Sequence, residues 1–320
     1  MAASPNKHQP RRWATVHDAD MQTIQLASQL PAFSRLVYGA WRLTGGPDAT
    51  AQTALRKIEV CLAQGITTFD HADIYGNYSC EARFGEALKL APQLKARIQT
   101  VTKCDIMLMS DRYPARRVKY YDTSPEHIKR SVDTSLQRLG VDVIDLLLVH
   151  RPDPLMDAGA TGACLDALVD NGKVRGIGVS NFTPWDWELL QSTMRQTLVT
   201  NQIEISLLQR TAFTDGSLAQ AQQLRAPPMA WSPLAAGAVL GQSEAASRLL
   251  PALARIGRDF GVAPDAVAVA WLLAHPSRIL PILGTNDLGR MARLSDCLKV
   301  KLDRETWYEL WTLAAGQEVP

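Results

Sequence analysis

Short apolar runs alternate with longer stretches of helical spacing along almost the whole chain. Apolar or β-branched runs at 34–41, 66–72, 98–103, 144–150, 174–180, 198–205, 229–232 and 279–283 predict eight strands. The run at 144–150, IDLLLVH, is apolar nearly throughout, as a parallel strand buried on both faces would be. Helical spacing recurs over 49–64, 79–90, 124–139, 157–171, 183–195, 217–225, 245–260, 264–275 and 288–298. The punctuation agrees with this division. Gly65, Gly140 and Gly172 close helices, Ser79 is expected to cap 79–90 with Glu81 and Glu86 on its exposed side, and Ser124-Pro125-Glu126-His127 has the flavour of a capping box.

Eight strands each followed by helix, with no Gly/Pro/Ser-rich linker between them, predict a (β/α)8 TIM barrel as one domain over 21–320. A doubly wound sheet would usually carry a G-x-G-x-x-G turn after its first strand, whereas this strand ends Tyr38-Gly39-Ala40-Trp41-Arg42. Residues 21–33 precede the barrel and are expected to form a β-hairpin plugging its bottom. Residues 303–316 read as an extra C-terminal helix.

Bulk composition then narrows the function. With 320 residues, 46% of them hydrophobic, the chain can bury a sizeable core. Its 34 basic and 32 acidic residues leave a net charge of +2, so no bulk field directs it to nucleic acid or to an anionic membrane. Apolar runs stop well short of the roughly 18 residues a membrane helix needs. Residues 1–20 lack the apolar core of a secretory signal, and the Arg11-Arg12 pair lacks the hydrophobic stretch of a twin-arginine signal. They read as a disordered tail, with a mitochondrial transit peptide as the alternative because Lys7, Arg11 and Arg12 precede the first acid. Cys61, Cys80, Cys104, Cys164 and Cys297 are odd in number and form no C-x-x-C pair, which suits a reducing cytoplasm.

In a barrel of this kind chemistry collects at the C-terminal ends of the strands. Those ends carry Gly39-Ala40-Trp41, Asp70 running on to Tyr75, Lys103, His150, Ser180-Asn181, Asn201-Gln202, Trp231-Ser232 and Gly284-Thr285-Asn286. A carboxylate, a phenol, an ammonium and an imidazole thus converge from three strands and one loop. The stretch TTFDHADIYG admits two readings: a metal cluster of Asp70, His71 and Asp73, or half of a dispersed proton-transfer site. Successive residues on a strand point to opposite faces, so Asp70 and His71 do not readily share a metal. His71 is expected to pack outward, Cys104 to face away from Lys103, and Asp73 to shape the turn that delivers Tyr75.

This set resembles the aldo-keto reductase superfamily over nearly the whole chain from about residue 21. The carrying features are Phe69-Asp70 to Tyr75-Gly76, Lys103, Leu148-Val149-His150, the stretch GKVRGIGVSNF at 172–182, Asn201-Gln202, Trp231-Ser232-Pro233-Leu234, and Gly284-Thr285 to Arg290. The resemblance implies reduction of an aldehyde or ketone with NADPH, or NADH as the alternative, without a metal. Asp70, Tyr75, Lys103 and His150 would be the catalytic set. Tyr75 would protonate the carbonyl oxygen, Lys103 would lower the phenol's pKa from about 10 toward neutral, Asp70 would keep Lys103 charged, and His150 would donate to the substrate oxygen. Gly39, Ala40 and Trp41 are counted with the cofactor positions. Ser180, Asn181 and Gln202 would hold the nicotinamide carboxamide, and Trp231 would stack on its face. Ser232, Leu234 and Gly237 would line the pyrophosphate. Thr285, Asn286 and Arg290, with Gly284 beside them, would surround the adenosine 2′-phosphate, where a guanidinium fork suits the ligand.

The pattern departs from the family at Gly284, where many members carry Lys, and at Arg293-Leu294, where a Glu-Asn pair often contacts adenine. Preference for NADPH therefore rests largely on Arg290. Two other functions fit parts of the pattern: a cofactor-binding regulatory subunit with slow turnover, and a metal-dependent barrel hydrolase. The loop 105–122, with Arg112, Arg116, Arg117, Lys119 and three tyrosines, reads as a lid or an anion-attracting surface, or else as a plain solvated loop. Substrate choice would come from Trp41, this loop and the loop after Trp231. Substrate identity and oligomeric state, monomer or weak dimer, stay open.

Overall fold

The protein is described by a computed structural model over residues 21–46 and 48–319; the tail expected at 1–20 lies outside the described residues. Eight parallel strands close into a barrel: β1 (Val37–Gly39), β2 (Thr68–Asp70), β3 (Gln99–Cys104), β4 (Leu146–Val149), β5 (Ile177–Ser180), β6 (Leu198–Glu204), β7 (Met229–Trp231) and β8 (Leu280–Leu283). Each strand pairs with its neighbours in sequence, and β8 returns to β1 through Ile282 opposite Val37 and Leu283 opposite Tyr38. Among the described residues no helix is long and apolar enough to cross a membrane.

Strand alternation builds two cores. Val37, Val101, Leu146, Leu148, Val199, Met229, Leu280 and Ile282 join Ile24, Leu26, Leu30 and Phe33 in the innermost cluster. The last four come from the N-terminal hairpin, Thr23–Ile24 against Phe33–Ser34, so the plug expected from residues 21–33 is present. Leu30 needs room, and Gly176 supplies it: a Cβ there would lie 2.7 Å from Leu30 Cδ2. Intervening residues such as Phe69, Leu147, Val149, Ile177 and Val179 belong to two outer clusters that also contain helix residues. Fully burying each such side chain contributes roughly 1.5–3 kcal/mol.

The C-terminal helix is Arg304–Ala315, capped by Asp303 and ended by left-handed Gly316. It is locked to helix Pro264–Leu273 by a stacked pair, Trp271 and Trp307, with ring centroids 4.6 Å apart. Each indole donates to the other's backbone carbonyl at 3.0 Å.

Three expectations are corrected. The run 34–41 is not one strand: Phe33–Ser34 belongs to the hairpin, Val37–Gly39 to the barrel, and Ala40–Arg42 turns into a 3-10 helix. Arg35 stands at the break because its guanidinium donates to the carbonyls of Ile279 and Leu273. The helix expected over 288–298 divides into Leu288–Met291 and a 3-10 segment, Leu294–Lys299. Gln64 fills the gap, its amide donating to Met291 O at 2.6 Å and accepting from Ser295 N at 3.1 Å. On helix Cys80–Leu90, Ser79 makes no side-chain cap, and Glu81 is buried, accepting from Thr102 Oγ1 at 2.6 Å.

Candidate functional site

The polar side chains at the ends of β2, β3, β4 and β6 meet above the innermost core. Lys103 is fully buried, and its ammonium lies 2.8 Å from both oxygens of Asp70. It also donates to the backbone carbonyl of His71 at 2.6 Å and to the Tyr75 hydroxyl at 3.0 Å. Asp70 accepts a further bond from Gln202 Nε2 at 2.7 Å. Gln202 therefore braces the ion pair, a contact the sequence reading did not foresee. A buried ammonium and carboxylate are costly apart and tolerable when paired and saturated with hydrogen bonds, as here.

Burial pulls the Lys103 pKa down, but the charge of Asp70 and the bonds to Asp70 and Tyr75 outweigh it, and the net shift is upward. For Tyr75 the balance corrects the expectation. Burial pushes the phenol up, Lys103 pulls it down, and the net direction is up rather than toward neutral. His150 lies 6.2 Å from the Tyr75 ring, centroid to centroid. Burial, with the nearby Lys103 charge, holds its pKa well below the usual value, so the imidazole is neutral, and its Nδ1 has no partner among the described residues.

Tyr75 is placed by an unusual turn. Gly76, Asn77 and Tyr78 are all left-handed, with φ of 59°, 53° and 66°. Gly76 is required there twice over, since a Cβ would also fall 2.2 Å from Thr44 Oγ1 and 2.6 Å from Cys80 Sγ. Ser79, freed from capping, donates to Gly76 O at 2.5 Å, and its hydroxyl oxygen lies 3.1 Å from Thr44 Oγ1. Asp73 ties the same turn to helix Pro125–Leu139, accepting from Ser131 Oγ at 2.8 Å, as a turn-shaping role requires.

The loop 105–122 is ordered against this turn. It contains a short antiparallel ladder, Ile106–Met107 with Tyr120–Tyr121. The Arg116 guanidinium lies 3.8 Å from the Tyr113 ring centroid and donates to the Tyr78 hydroxyl at 2.7 Å. Ser110 donates to Asn77 Oδ1 at 2.6 Å.

His71 packs edge-on against Phe84, ring centroids 4.4 Å apart, on the side of the strand away from Asp70. Neither ring nitrogen has a partner among the described residues, and burial pushes its pKa down to about 3. Asp70 and His71 therefore do not converge, and no group of three or more His, Cys, Asp or Glu side chains among the described residues is arranged to hold a metal ion.

The expected cofactor positions form a second network. Trp231 Nε1 donates to Asn181 Oδ1 at 2.9 Å, and Asn181 Nδ2 donates to Ser180 Oγ at 2.9 Å and to His150 O at 3.3 Å. Asn181 and Ser232 are left-handed, at φ of 60° and 48°, and Gly237 is exposed with open space at its Cβ position. Leu234 is half-buried against the outer core. Gly284 is exposed, and Thr285 and Asn286 are half-buried. Arg290 is exposed, and its guanidinium has no hydrogen bond among the described residues. Ala40 is fully buried and Gly39 sits against Ile282, where a Cβ would lie 2.8 Å from Cγ2; of these three only Trp41, 58% exposed, meets solvent.

Trp41, Arg42, Tyr75, Asn77, Leu108 and Asn286 line an open cleft of about 770 Å3 at this end of the barrel. Another cavity of about 500 Å3, at the hairpin end, is lined by Arg35, Cys297 and Val300 and contains none of these groups.

Residues 35–314 match the model of the Aldo/keto reductase family. A 6-dehydroglucose reductase of Agrobacterium fabrum is 54% identical over 299 residues, covering 93% of this chain and 100% of the relative. Another 6-dehydroglucose reductase, of Novosphingobium aromaticivorans, is 37% identical, covering 92% and 96%. Among solved structures, an aldo/keto reductase from Klebsiella pneumoniae in complex with NADP and acetate superposes with a TM-score of 0.72 at 25% identity, covering 90% of this chain and 93% of that one.

Proposed function

This chain belongs to the aldo/keto reductase family, and we propose that it is an NADPH-dependent reductase of aldehydes carried on sugar-like, polyhydroxylated molecules. The observation that carries the chemistry is the Lys103 ammonium, held by Asp70 and donating to the Tyr75 hydroxyl beside an open cleft. The substrate class follows the two 6-dehydroglucose reductases to which the chain is similar. It also suits the cleft, where exposed Trp41 offers a flat apolar face among Arg42, Asn77 and Asn286.

The residues present fit a dinucleotide. Trp231 is a half-buried aromatic beside the left-handed Asn181 and Ser232, Gly237 leaves its backbone open, and Arg290 is exposed with a guanidinium unpaired among the described residues. A bound reduced nicotinamide supplies the hydride that the carbonyl carbon accepts. Tyr75 donates the proton to the carbonyl oxygen, so that hydride and proton together give the alcohol. The raised phenol pKa keeps that proton in place until it is needed, and Lys103 stabilises the phenolate left behind. Asp70 and Gln202 keep the ammonium charged and aimed. His150, held neutral, is a hydrogen-bond donor for the substrate oxygen rather than a competing acid.

A panel of sugar aldehydes, simple aldehydes and ketones, with oxidation of NADPH and NADH followed by absorbance, tests the reading. Turnover with a sugar aldehyde is the expected result. Absence of turnover across the whole panel would overturn it.

A further inference from the structure

Helix Ala51–Leu62 carries a charge on its apolar face. Ala54, Leu55, Ile58, Cys61 and Leu62 pack inward, and Lys57 lies among them at 5% exposure. Its ammonium takes part in none of the ion pairs among the described residues. Its side-chain hydrogen bond runs to Asn286 Oδ1, at 2.9 Å. A sequestered lysine without a counter-charge is costly, and an anion drawn close to it offsets that cost.

Asn286 links this charge to the cleft. Its Nδ2 donates to Arg42 O at 2.6 Å and to Gly45 O at 3.2 Å, tying the loop after β1 to the loop after β8. Arg42, Gly45 and Asn286 all line the cleft. Four residues on, the exposed Arg290 presents a guanidinium with no partner among the described residues. Lys57 and Arg290 thus flank one short segment, in which the exposed Asp287 carboxylate is held at the helix start by Arg290 N at 2.7 Å.

We propose that Lys57 serves the phosphate on the cofactor's adenosine ribose. It lends positive charge through Asn286 and holds that side chain in register, and so favours NADPH over NADH. The proposal rests on the reductase reading above. NADPH and NADH differ in this phosphate alone, so a charge serving it acts on one cofactor and spares the other. A brace of the fold, or a charge serving the shared pyrophosphate, would act on both.

Equilibrium titration of the quenching of tryptophan fluorescence gives both dissociation constants without turnover. The variants are Lys57→Met, which removes charge and donor, and Lys57→Gln, which keeps a donor for Asn286 and covers the case in which Lys57→Met does not fold. The expected result is that each weakens NADPH about tenfold and NADH less than about twofold. Parallel weakening of the two cofactors, an unchanged NADPH-to-NADH ratio, or a wild type that binds both equally would overturn the role of Lys57 and leave the reductase reading standing. A wild type that binds neither would overturn both.

Discussion

Replacing Asp73 by Asn is expected to stabilise the protein, increasingly as pH rises from the ordinary aspartate range to that in which the native carboxyl ionises. Asp73 is 6% exposed. Its Oδ2 accepts from Ser131, and its Oδ1 has no partner among the described residues. Burial first, and the nearby charge of Glu81 second, push its pKa from 3.8 up to about 7, against the hydrogen bonds from Ser131 and Ile74 and the charge of Arg138. Between those two values the native carboxyl keeps a proton that the unfolded chain has released. Stability from this group is therefore greatest at low pH and declines as pH rises from about 4 to about 7. A shift of about three pH units at ~1.36 kcal/mol each sets a ceiling of ~4 kcal/mol. Glu81 titrates upward in the same pocket and shares the repulsion, so ~2–4 kcal/mol is the expected range at about pH 8. The amide keeps an oxygen for Ser131. Urea unfolding of wild type and Asp73→Asn at about pH 5 and about pH 8 measures the difference. It should favour the variant at both, by about 1–2 kcal/mol at the lower pH and by clearly more at the higher. A variant less stable than wild type at about pH 8, or a difference that does not grow with pH, would refute the reasoning.

Two other substitutions bear on the site. Lys103→Met leaves Asp70, at 2% exposure, with Gln202 in place of its cation, and should cost about 3–5 kcal/mol in urea unfolding, part of it recovered by adding Asp70→Asn. Equal stability of wild type and Lys103→Met would contradict the account of that pair. Gly76→Ala forces a Cβ to within 2.2 Å of Thr44 Oγ1 at a left-handed residue, so it should displace Tyr75 and lower kcat at least tenfold while the Kd for NADPH moves by less than about threefold. A full loss of NADPH binding would instead place the turn in the cofactor site.

The strands were legible because a parallel barrel writes itself as apolar runs at regular intervals, and the face of each residue follows from alternation. That is why the outward packing of His71 and of Cys104, which joins an outer cluster, could be foreseen from position alone. What escaped depended on tertiary partners. Glu81 looked like a surface residue of an amphipathic helix, but Thr102 opposite it draws the carboxylate inward. The break in the helix expected at 288–298 is made by Gln64, more than 200 residues earlier in the chain. The direction of the Tyr75 pKa depended on how deeply the phenol is buried, which no spacing reveals. Gln202 was singled out from its strand end, but its bond to Asp70 needs the barrel closed. Lys57 did leave a trace in the sequence, a lone charge inside the apolar stripe Ala54, Ile58, Cys61.

The central claim is that Tyr75 is the proton donor and Lys103 its support. The most direct test is a comparison of wild type and Tyr75→Phe, with kcat for reduction of a sugar aldehyde and the dissociation constant for NADPH measured on the same preparations. The account predicts that kcat falls by about 10²–10⁴ while the dissociation constant stays within about twofold, because the hydroxyl carries the proton and the ring keeps its packing. Turnover by Tyr75→Phe at the wild-type rate would contradict it.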